Sequence, residues 1–143
     1  MILNFVKIED LSSCHNQEMI EFRTEPSIHW RARTDISFGE YHVKSFPVVF
    51  DTGASIIGLT VELHDRFLTE LGRLNIDYRQ TEELEGEVNC EWVDLFPPFV
   101  IGDTLDKQIV ITPAMYMWRM PSGLCRIFVG RLDVDYVTRD FGI

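Results

Sequence analysis

The chain has 143 residues, 45% hydrophobic and 12% aromatic, which is enough for one globular core and shows no compositional break that would mark a second domain. Lys and Arg number 13 against 23 Asp and Glu, a formal net charge of -10, so a polyanion is repelled on average and nucleic acid is not an expected partner. No apolar run approaches the roughly 18 residues of a membrane-spanning helix, and "MILNFVKIED" has too short an apolar segment and too early a charge for a signal peptide. The acidity itself has two readings, a solvated surface or a protein working at low pH.

In chain order, "IHWRARTDISF" (28–38) alternates apolar and polar residues and predicts a strand. "GE" then offers a hairpin turn into a second strand, "YHVKSFPVVF". The next segment breaks this rhythm. In "TVELHDRFLTELG", Leu63, Phe67, Leu68 and Leu71 recur at helical spacing, with Thr60 as the N-terminal cap and Gly72 as the stop. Strand-like segments resume with "EVNCEWVDL" and "FPPFVIG", followed after a turn at "DTLDK" by "QIVITP" and "AMYMW". The expected class is all-β, antiparallel, with one or two short helices.

Cys14, Cys90 and Cys125 form no CxxC pair and have no His at ligand spacing, so no zinc site is expected. They leave room for one disulfide and one free thiol. The histidines at 15, 29, 42 and 64 are scattered and read as surface or half-buried residues rather than ligands. No cofactor or metal is implied.

One ionisable group stands out, Asp51 in "FPVVFDTGASIIGLT". Apolar runs on both sides predict a partly desolvated carboxylate, and an unpaired buried carboxylate is costly unless neighbours satisfy it or a task requires it. Gly53 suits a tight turn that brings backbone N–H groups towards the acid, and Thr52 adds a hydroxyl able to bond nearby backbone. A carboxylate held this way can activate water as a general base when a second carboxyl shares its proton, because two such groups in contact do not both ionise. No metal is needed for that chemistry.

On these residues the chain resembles the C-terminal lobe of the pepsin-like aspartic peptidases, over most of its length. "PVVFDTGASIIGLT" is similar to that lobe's catalytic strand and turn, and Val61 to Leu71 to the helix that follows. Trp30 resembles the aromatic of the lobe's opening strand. "GEVNCEWVDLFPPFVIG" resembles the cysteine-bearing hairpin with a proline-led strand, "ITPAMYM" the hydrophobic-x-Pro-x-x-Tyr segment, and "LCRIF" the second cysteine. The resemblance implies a pepsin-like acid-protease lobe, a barrel-like antiparallel half, with Asp51 as one of two catalytic aspartates. Thr52, Gly53, Ala54 and Ser55 would support the turn. It also implies a Cys90–Cys125 disulfide, which leaves Cys14 over. The implied function is hydrolysis of internal peptide bonds in a peptide or protein substrate, in a secreted or vacuolar and lysosomal family.

The sequence departs from that family at three points. Ala54 stands where Ser or Thr is usual, and losing a hydroxyl that bonds the charged acid should raise the pair's pKa and move activity towards neutral pH. The closing apolar-apolar-Gly stretch has two candidates. "FVG" at 128–130 fits locally but ends only five residues past Cys125, whereas "YVTRDFGI" at 136–143 lies at a better distance but carries Arg139 where Gly is expected. Finally, there is one Asp-Thr-Gly and no N-terminal lobe, so this reads as a single lobe cut short at its C-terminal end and inactive alone. Its missing aspartate would come from a complementing N-terminal lobe or a second subunit. Two alternatives remain open, a retropepsin-like homodimeric peptidase and a non-catalytic module that binds peptide or protein in a pepsin-like cleft.

Overall fold

The computed structural model describes residues 20–27, 29–80, 86–103 and 107–132. Alternation in β1 (Trp30–Phe38) turns Ala32, Thr34 and Phe38 inwards. Gly39, at φ +55°, opens the two-residue turn that returns the chain into β2 (Tyr41–Phe50). The pair runs from Trp30↔Phe50 to Phe38↔Tyr41, with a bulge near Thr34 to Ile36. Opposite that bulge Ser45 adopts φ +51°, held by its N–H donating to Asp35 Oδ1 at 2.9 Å.

β3 (Ile57–Thr60) leads directly into α1 (Val61–Arg73). The remaining strands are β4 (Arg79–Gln80), β5 (Gly86–Asn89), β6 (Phe99–Ile101), β7 (Ile109–Ile111), β8 (Met117–Arg119), β9 (Leu124–Ile127) and β10 (Val129–Leu132). They assemble into two four-stranded antiparallel sheets, β2-β1-β6-β7 and β4-β5-β9-β8, and a two-stranded sheet in which β10 and β3 run parallel. The described chain is therefore mostly β, as expected, with one parallel pair that the antiparallel reading did not include.

The core lies between the sheets and the inner face of α1. Phe38, Phe67 and Phe99 are mutually packed, with ring centroids 5.4 to 6.0 Å apart, and Tyr116 meets Phe99 edge-on at 5.4 Å. The Cys90–Cys125 disulfide joins the end of β5 to β9, with Cα atoms 5.0 Å apart.

Three local expectations are corrected. Gly72 does not stop the helix. α1 continues through Arg73, and Asn75, at φ +56°, ends it. The Ile76 N–H donates to the Leu71 carbonyl and the Asn75 N–H to that of Gly72, both at 3.0 Å, which is a Schellman closure with buried Ile76 and Leu71 as its apolar contact. "EVNCEWVDL" is strand only to Asn89. Its side chain accepts the Glu91 N–H at 3.0 Å and turns Cys90–Leu95 into a 3-10 helix. Where "QIVITP" meets "AMYMW", Pro113–Met115 likewise forms a short 3-10 turn before β8.

Candidate active site

The site is built at the end of β2. Phe50, the strand's last residue, lies across from Trp30 and packs on Phe22 at 5.2 Å between ring centroids. The chain then turns. Gly53 N–H donates to Asp51 Oδ1 at 2.8 Å, and Ala54 N–H donates to the Asp51 main-chain carbonyl at 3.2 Å. The aspartate thus forms its own Asx turn, which fixes one carboxylate oxygen and turns the other away from the backbone donor.

Asp51, Thr52, Gly53, Ala54 and Ser55 are all exposed. This corrects the expectation of a desolvated acid. The apolar flanks are only partly buried and direct their contacts elsewhere, Phe50 towards Phe22 and Ile57 into the core, while the turn between them projects into solvent. Gly53 also acts differently from expectation. Its φ lies outside the left-handed region. What it supplies is room, because a Cβ there would stand 3.3 Å from Asp51 Oδ1 and crowd the carboxylate folded back over the N–H. The Thr52 hydroxyl makes no hydrogen bond among the described residues, and Ala54 has no hydroxyl to offer.

The turn is anchored from behind. Ile57 N–H donates to the Phe128 carbonyl at 2.8 Å, and the parallel register then runs from Ile57↔Val129 to Thr60↔Leu132. Of the two candidate apolar-apolar-Gly stretches, Phe128-Val129-Gly130 lies beside the strand that follows the turn. "YVTRDFGI" with Arg139 lies outside the described residues, as does Cys14. β9 passes into β10 with only Phe128 between them.

Phe128 N–H in turn donates to the Tyr116 carbonyl at 2.8 Å, and the Tyr116 hydroxyl donates to the Pro97 carbonyl at 2.7 Å in the core. Burial pushes the Tyr116 phenol far above its ordinary value, so it remains a neutral donor. The segments "FDTGAS", "ITPAMYM" and "LFPPFV", far apart in sequence, are thus connected by a chain of contacts.

Behind β3 the helix carries two buried ionisable groups. Glu70 accepts from Arg73 at 2.7 and 3.1 Å and from Glu40 N–H at 3.3 Å. Those bonds, led by Arg73, lower its pKa despite burial. This carboxylate therefore ties α1 to the β1–β2 turn. His64, read from sequence as a surface or half-buried residue, is only 2% exposed. The apolar spacing of α1 had already placed position 64 beside Leu63 and next to Phe67 and Leu68, the signal that could have predicted its burial.

Among the described residues, no three His, Cys, Asp or Glu side chains gather closely enough to hold a metal ion. No described helix is long and apolar enough to cross a membrane. A shallow concavity of about 380 Å³ below the C-terminal end of α1 is lined by Leu68, Leu71, Gly72, Ile76, Asp77 and Tyr78, none of them in the Asp51 turn. No protein-family model matches the chain, and no curated protein is significantly similar to it.

Proposed function

We propose that this chain is a pepsin-like aspartic endopeptidase lobe supplying Asp51 as one catalytic carboxylate of a two-aspartate site. The observation that carries this reading is the Asp51 turn itself. An exposed acid, with one oxygen held by Gly53 N–H, projects from a strand end and is backed by the parallel β3–β10 pair. Its open side can accept a second carboxyl from a complementing N-terminal lobe or a second subunit. Docking would remove water from both acids and force them to share one proton. The ionised acid then takes a proton from water as it attacks the peptide carbonyl, and the protonated acid donates to the carbonyl oxygen. Proton return to the nitrogen releases the amine. Alone, the chain is inactive.

The exposure of the turn also favours a second reading, a module that binds peptide or protein without catalysis. A solvated carboxylate carries little desolvation cost, so its retention in a scaffold needs no catalytic explanation. The two readings separate in a pepstatin-inhibited peptidase assay of the purified chain, alone and with a complementing N-terminal lobe, alongside sedimentation. Activity only on complementation supports the lobe, activity rising with a concentration-dependent dimer supports the retropepsin-like arrangement, and pepstatin-sensitive cleavage by the monomer contradicts the proposal. Peptide binding without cleavage in every mixture supports the module.

A further inference from the structure

The unused group with the strongest physical constraint is His64. It lies on the first turns of α1, the helix packed against β3 and β10. Its side chain is almost fully buried, and Nε2 is shut off from solvent with no hydrogen-bond partner among the described residues. A neutral imidazole can tolerate this by leaving Nε2 as the unprotonated nitrogen. An imidazolium cannot, because both ring nitrogens become donors and the new N–H would be buried without an acceptor.

Among the described residues, the charged surroundings offer little relief. On α1 itself Asp65 favours the protonated ring, but Arg131 on β10 opposes it. β3 contributes Ile57, Gly58, Leu59 and Thr60, none of which ionises. Burial is the dominant influence and lowers the imidazole below its ordinary value of 6.5.

We propose that His64 is an acid-sensitive latch, whose protonation loosens α1 from the β3–β10 pair and thereby withdraws the backing of the Asp51 turn. The latch does not rest on the peptidase reading, since it concerns the packing of the helix alone. Its direction follows from linkage. The unfolded chain binds the proton more readily than the folded one, so stability is full above the unfolded value near 6.5 and is lost as pH falls below it, until the folded-state value is reached. The Glu70 carboxylate is lost in a different window. Its pKa is lowered from 4.5, so its contribution is present above that value and is lost only as pH falls below it, and the range between about 6.5 and about 5 reports on His64.

The test is urea unfolding of the full chain from about pH 5 to pH 7, with His64→Leu, which keeps an apolar volume but cannot titrate, and His42→Gln as a control on an exposed histidine. The wild-type ratio of unfolded to folded protein should rise by up to about tenfold per pH unit as pH falls through this range. The slope should largely vanish in His64→Leu and persist in His42→Gln. NMR titration of the wild-type chain serves even if His64→Leu does not fold, and should show the His64 ring protonating below 6.5. Amide exchange from Leu63 to Leu71 should accelerate in the same pH range. A slope retained in His64→Leu, or a His64 ring titrating at or above 6.5, would overturn the latch.

Discussion

The turn at Asp51–Ser55 and the helix Val61–Arg73 are neighbours in the chain and are secured in opposite ways. The helix is fixed by its own sequence and by burial. Thr60 caps its start, the Asn75 closure ends it, and Leu63, Phe67 and Leu71 sink into the core. The turn is exposed throughout, has one side-chain hydrogen bond of its own, and takes its position from the strands on either side. Residues that set the fold here are therefore different from those that could carry chemistry, and substitutions should divide along that line.

The largest effect on stability is expected at Phe67, which is fully buried and contacts Phe38, Phe96 and Phe99. Phe67→Ala should destabilise the chain by about 3–5 kcal/mol in urea unfolding, and a loss under about 1 kcal/mol would break the contrast. Thr60→Ala removes the helix cap, whose bond to Leu63 N–H is long at 3.4 Å, and should cost about 0.5–1 kcal/mol. Gly72→Ala points the other way. The glycine lies inside the helix, and a Cβ there meets nothing within 4 Å, so thermal unfolding should register a gain of about 0.5–1 kcal/mol. If the helix ended at Gly72 instead, the same change would destabilise it. Smallest of all, Asp51→Asn should shift stability by less than about 0.5 kcal/mol, because the side chain is exposed.

Much of this division was legible in the sequence where one local pattern decided the outcome. The β1–β2 hairpin follows from alternation on both sides of Gly39-Glu40, and α1 from Leu63, Phe67, Leu68 and Leu71. The structure departs from that pattern where one particular contact, near or far in sequence, decided the outcome. Gly72 is the commoner helix terminator, but the apolar pairing of Leu71 with Ile76 favours closure at Asn75. The alternation of "EVNCEWVDL" continues past Asn89, yet the Asn89 cap turns the chain there. Apolar flanks predicted a buried Asp51, although whether a loop projects depends on where its flanks find their contacts. Residue types and motif order drew attention to Asp51. They offered Phe128-Val129-Gly130 only as one of two candidates for the stretch beside its turn, because that pairing joins segments some seventy residues apart.

The central claim, that Asp51 is a catalytic carboxylate completed from outside the chain, is tested most directly by comparing wild type with Asp51→Asn in complementation with an N-terminal lobe. Pepstatin-sensitive cleavage should arise on mixing the wild-type chain with that lobe, and should fall by at least about 10²- to 10⁴-fold in Asp51→Asn with its folding unchanged. Cleavage that survives the substitution in a correctly folded complex would contradict the account.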